Sequence, residues 1–98
     1  MTLAEFRKSL AQDQPPPALS AALEGLWWAG KNDWERAHKI VMDEDGRDCA
    51  WVHAHLHRIE GDLDNARYWY RRAGRPEASD PLPAEWEAIA RELLAQQI

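Results

Sequence analysis

The chain has 98 residues, enough for one domain that buries about two-thirds of the surface its unfolded form exposes. It is 45% hydrophobic and carries six tryptophans, which argues for a packed core over a disordered segment. A net charge of -5 disfavours general attachment to nucleic acid or anionic membrane, the single Cys49 excludes an internal disulfide framework, and no apolar run spans a bilayer, so a reducing cytoplasmic setting is expected.

Thr2-Leu3-Ala4-Glu5 matches a capping box, and Leu3, Phe6 and Leu10 fall on one helical stripe, which predicts a first helix to about Gln12. Pro15-Pro16-Pro17 interrupts it, because successive prolines remove backbone donors and hold their neighbours extended. From Ala18 a second stripe of Leu19, Leu23, Leu26 and Trp27 runs into the turn Gly30-Lys31-Asn32-Asp33. A third helix follows with Trp34, Ala37, His38 and Val41 inward, and Asp43-Glu44-Asp45-Gly46 ends it as a solvated loop without calcium-loop spacing. The stretch Ala50 to Ile59 alternates Val52, Ala54 and Leu56 with His53, His55 and His57 as a strand would, yet Val52, Leu56 and Ile59 also form a helical stripe. A helix is expected because Gly61-Asp62 closes it as a turn. The next helix, Asp62 to about Ala73, turns Leu63, Ala66, Tyr70 and Ala73 inward and stops at Gly74-Arg75-Pro76. After a polar linker, Pro83 opens a last helix with Trp86, Ile89, Ala90 and Leu93 on its apolar side.

Residues 18–41 and 47–70 share one helix-turn-helix pattern at an offset of 29 residues. Ala21 aligns with Ala50, Gly25 with Ala54, Asn32-Asp33 with Gly61-Asp62 and Ala37 with Ala66, and small residues there let antiparallel helices approach closely. The segment Asp64 to Ala73, preceded by Gly61-Asp62-Leu63, resembles the second half of a tetratricopeptide repeat: Gly61, Asp62, Ala66, Tyr70 and Ala73 stand at the glycine, acidic, alanine, aromatic and alanine places. The first unit matches with Asn32, Asp33, Trp34, Ala37 and Val41 but has Glu44 for the final alanine, and the offset is shorter than the family's repeat of about 34 residues. The resemblance implies a divergent bacterial relative of that family, all-α, with two stacked hairpins and capping helices at the N- and C-terminal ends. Residues 1–17 would form the capping helix and connector, 18–45 and 46–75 the hairpins, and 76–98 the linker and last helix.

Two constellations could carry chemistry. His53 and His57, four residues apart on a helix, present their rings on one face, with Glu24 on the preceding hairpin and His38 between them in sequence. The zinc-peptidase signature is absent, since Ala54, His55 and Leu56 follow His53, so a buried cluster hydrogen-bonded to Glu24 or Tyr70 outweighs a metal centre and no cofactor is implied. The second constellation is the arginine-aromatic run Arg67, Tyr68, Trp69, Arg71, Arg72 and Arg75, residue types that dominate protein interfaces and recognise carboxylates. With Trp51, His55 and Arg58 beside it, this run is expected to bind a peptide or partner domain. The alternative is a metal-dependent or acid-base enzyme centred on the histidines. Homodimerisation through surplus tryptophan surface is compatible with either. There is no phosphate-cradling glycine loop and no nucleophile elbow, and Cys49 reads as a small half-buried hydrophobe.

Overall fold

The computed structural model describes residues 1–96, which form six α-helices and no strand: α1 Leu3–Ser9, α2 Ala21–Gly30, α3 Trp34–Met42, α4 Arg47–Glu60, α5 Leu63–Ala73 and α6 Leu82–Gln96. The capping box forms as expected, with Glu5 N–H donating to Thr2 Oγ1 at 3.1 Å and Thr2 N–H to Glu5 Oε1 at 2.8 Å. The α-helical part of α1 ends at Ser9, and Leu10 to Gln12 close in tighter three-residue turns. Ala18 adopts a left-handed φ of 66°, so α2 begins later than the stripe suggested, with Ser20 accepting from Leu23 N–H as its cap. Asp33 and Asp62 cap α3 and α5 in the same way. Gly61, at φ 83°, reverses the chain between α4 and α5 while Asp62 N–H bonds back to His57 C=O, a closure that favours a residue without Cβ.

The hairpins α2–α3 and α4–α5 pack side by side through contacts of α4 with both α2 and α3. Ala37 of α3 and Ala66 of α5 are buried, and a Cβ on Gly25 would stand 2.6 Å from Val41 Cγ1 and 3.5 Å from Ala37 C=O, so α2 and α3 meet at a distance that favours glycine while Val41 keeps its place. The two terminal helices meet each other: α6 lies across α2 and α4 and packs on α1, where Phe6 stacks on Trp86 at 5.7 Å and Arg7 pairs with Glu87 at 3.2 Å. Trp27, Leu23, Leu26, Val52, Leu56, Tyr70 and Ile89 fill the centre.

Helix α4 is therefore enclosed by α2, α3, α5 and α6, and every residue from Cys49 to His57 is buried. A helix covered on all sides carries no single apolar stripe, which is why its sequence also reads as an alternating strand. All six tryptophans are buried or half-buried; burying their area stabilises so small a core more than displaying it would.

Candidate functional site

His53 and His57 lie one turn apart on α4 with their rings stacked at 4.8 Å, and His38 reaches them from α3 at ring distances of 4.7 and 5.5 Å. His38 Nε2 and His53 Nε2 are 3.0 Å apart, so one donates to the other. Trp34 lies parallel to the His38 ring at 4.6 Å and Trp69 parallel to His53 at 3.9 Å, which fixes both ring planes. The Trp34 indole N–H is itself anchored on Leu56 C=O at 2.7 Å. His57 Nδ1 pairs with Glu60 Oε1 at 2.6 Å, whereas His53 Nδ1 is buried without a hydrogen-bond partner among the described residues. Burial, reinforced by His38 and His57, pushes His53 down to about 3, and burial followed by His57 also lowers His38. Glu24, half-buried at the first turn of α2, does not join the three histidine nitrogens, and Tyr70 bonds elsewhere; neither supplies the partner expected for this cluster.

A second buried cluster involves a residue that sequence reasoning missed. Glu85, 3% exposed on α6, accepts from His55 Nδ1 at 2.6 Å, from Arg58 Nη1 at 2.8 Å and from the Tyr70 hydroxyl. Burial would raise its carboxyl pKa, but the three donors outweigh it and hold the group below its ordinary value. Burial and the adjacent carboxylate raise the Tyr70 hydroxyl. Arg58 also donates to Asp80 C=O at 2.6 Å, tying α4 to the linker before α6. His55, 2% exposed, and Arg58 are thus committed to the interior and not to the outer face expected of them. Trp51 is likewise buried, with the Arg75 guanidinium 3.9 Å over its ring. The available signal was positional: Glu85 sits four residues before Ile89 and eight before Leu93, on the stripe that α6 turns inward.

The arginines of α5 and of the segment just after it divide into two kinds. Arg67 bridges Asp64 at 2.5 Å and Glu77 at 3.3 Å, and Arg75 pairs with Glu92 at 2.7 Å, so two of the four arginines in the expected arginine-aromatic run are neutralised within the chain. Arg71 and Arg72 meet no carboxylate among the described residues. Arg72 Nη1 donates to the Tyr68 hydroxyl at 2.9 Å, and its guanidinium lies 5.8 Å from the Tyr68 ring and 5.5 Å from the Trp69 ring. Tyr68 is 41% exposed and stands one turn before both arginines, with Trp69 set edge-on at 5.2 Å. Cys49 is buried and its thiol is pushed up to about 11, first by burial and then by Glu44 and Asp48, which keeps it protonated and unreactive.

No helix among the described residues is long and apolar enough to cross a membrane. Comparison with family models, curated proteins and solved structures finds no match, which leaves the side-chain geometry as the ground for function.

Proposed function

We propose that this all-α domain is a protein-interaction module of divergent tetratricopeptide-like construction, which captures an acidic peptide segment on the outer face of α5. The observation that carries this reading is the pairing pattern of its arginines. Arg58, Arg67 and Arg75 are each matched with an acid, whereas Arg71 and Arg72 stand one turn after an exposed tyrosine with no carboxylate of their own among the described residues. Arg72 is held by aromatic contacts, so its guanidinium fork is set in place before a ligand arrives and loses less freedom on binding. The chemistry fits two carboxylates on the arginines and an apolar side chain against Tyr68 and the rim of Trp69. A local cationic surface on a chain of net charge -5 also favours a short acidic segment over a polyanion, which the whole molecule would repel.

Fluorescence anisotropy of a labelled peptide of alternating glutamate and leucine tests this. Binding should be saturable and weakened by salt, and Arg71→Gln with Arg72→Gln together should lower affinity by on the order of tenfold, as two partly exposed charge pairs would. Arg67→Gln, which removes an internally paired cation, should leave affinity nearly unchanged. Equal losses from Arg67→Gln and from the double variant would mean that only net charge is sensed, and would overturn the assignment.

A further inference from the structure

We propose that His38, His53 and His57 form a mononuclear site for a divalent transition metal, bound through three imidazole nitrogens with the remaining position left to water. The proposal does not rest on the peptide surface, although Trp69 borders both, and it is carried by four observations.

The first is spacing. A tetrahedral ion with metal–nitrogen bonds of about 2.0–2.1 Å holds its ligand nitrogens about 3.3 Å apart. His38 Nε2 and His53 Nε2 already stand at 3.0 Å, and one nitrogen from each of the three rings lies within 4.8 Å of the others. No pair has to close by more than about 1.5 Å, within reach of small χ rotations.

The second is orientation. His57 Nδ1–H donates to Glu60 Oε1 at 2.6 Å, which leaves Nε2 as the lone-pair nitrogen; a carboxylate behind a liganding histidine raises its basicity and fixes its tautomer. Trp34 and Trp69 clamp the planes of the other two rings, so the donor set is ordered before an ion enters.

The third is an unmet cost. His53 is buried with Nδ1 unpartnered among the described residues, and an apolar residue would fill the same space without leaving a polar atom unsatisfied. Ligation through Nε2 would leave Nδ1 as it is, but the metal–nitrogen bonds would offset the cost of gathering three imidazoles at the junction of α3 and α4, which packing alone does not.

The fourth is access and selectivity. His38 is half-buried while His53 and His57 are buried, which places the entry on the α3 side. Three imidazoles without thiolate suit zinc, cobalt, nickel or copper(II) and not magnesium or calcium, which prefer all-oxygen sites. Glu60 and Asp62 also come within reach of His57, but both are exposed, and Glu60 already serves to orient the ring.

Cobalt(II) added to the tag-free chain is the test. Visible d–d absorption of a tetrahedral ion should saturate at one cobalt per chain and be displaced by zinc. His38→Gln should abolish it while keeping the helical circular dichroism, and Glu60→Gln should weaken binding about 10–100-fold, as loss of a carboxylate behind a ligand does. In the wild-type chain, zinc should shift the ring nitrogens of His38, His53 and His57 in NMR spectra and leave His55 unmoved, a readout that needs no variant to fold. Absence of the absorption at millimolar cobalt, unchanged affinity in a folded His38→Gln, or zinc-induced shifts at His55 in place of the three would overturn the proposal.

Discussion

Substituting Glu85 by glutamine probes how α6 is locked to α4 and α5. The carboxylate takes hydrogen bonds from His55, Arg58 and Tyr70 in a setting 3% exposed. Glutamine keeps the shape but offers one oxygen and turns an N–H2 toward three donors, leaving the Arg58 cation without its buried counter-charge. Breaking one side of a buried charge pair costs about 3–5 kcal/mol, a large part of the roughly 5–15 kcal/mol that holds an ordinary domain together. For a domain of this size each kcal/mol moves the midpoint by about 4–8 °C, so Glu85→Gln should lower Tm by about 12–40 °C. Tyr70→Phe removes one donor and leaves the carboxylate two, so its cost should be smaller, about 1–2 kcal/mol. Urea titrations of both variants followed by circular dichroism provide the measurement. A Glu85→Gln loss below about 1 kcal/mol, or one no larger than that of Tyr70→Phe, would refute the buried-carboxylate account.

The same group sets an acid dependence. Because His55 and Arg58 of α4 and Tyr70 of α5 hold Glu85 below its ordinary value of 4.5, its contribution is complete above that value and is lost as pH falls through the folded-state pKa; the acid limb of a stability-pH profile should flatten in Glu85→Gln. Gly25→Ala should cost about 1–3 kcal/mol in thermal melts although alanine favours helix, because its Cβ would stand 2.6 Å from Val41 Cγ1, and Val41→Ala should recover much of that loss. Ala66→Leu, at a position 1% exposed, should cost a similar amount; a melt matching the parent would mean that α4 and α5 do not cross there.

Local chemistry made the helices legible. Thr2-Glu5, Asp33, Asp62 and the Gly61 turn act on backbone groups within a few residues, so their sequence pattern and their structural effect coincide, whereas the Ser20 cap was masked by the apolar stripe read from Ala18. The pairing of His53 and His57 was legible for the same reason, being one turn of one helix. The surroundings of α4 were not. Trp51, His55 and Arg58 read as an outer face because nothing nearby in sequence shows that α6 closes over them, and Glu85 is thirty residues from His55. Arg67 was expected on a partner surface; its pair with Asp64, one turn earlier, is local, whereas Glu77 reaches it only after the chain has reversed beyond Gly74. Glu24 was drawn toward the histidines by the alignment of the two units, but equivalent places in two hairpins share a fold position and not a neighbourhood.

The central claim, that the outer face of α5 receives an acidic segment, is tested most directly by titrating the isotopically labelled chain with the glutamate-leucine peptide and following its amide and arginine side-chain NMR signals. Saturable shifts should concentrate at Tyr68, Trp69, Arg71 and Arg72, with the Arg58 and Arg75 guanidinium signals unmoved because both are already paired. Shifts centred on the groove between α1 and α6 around Leu10 and Trp86, or no saturable shift on α5, would contradict it.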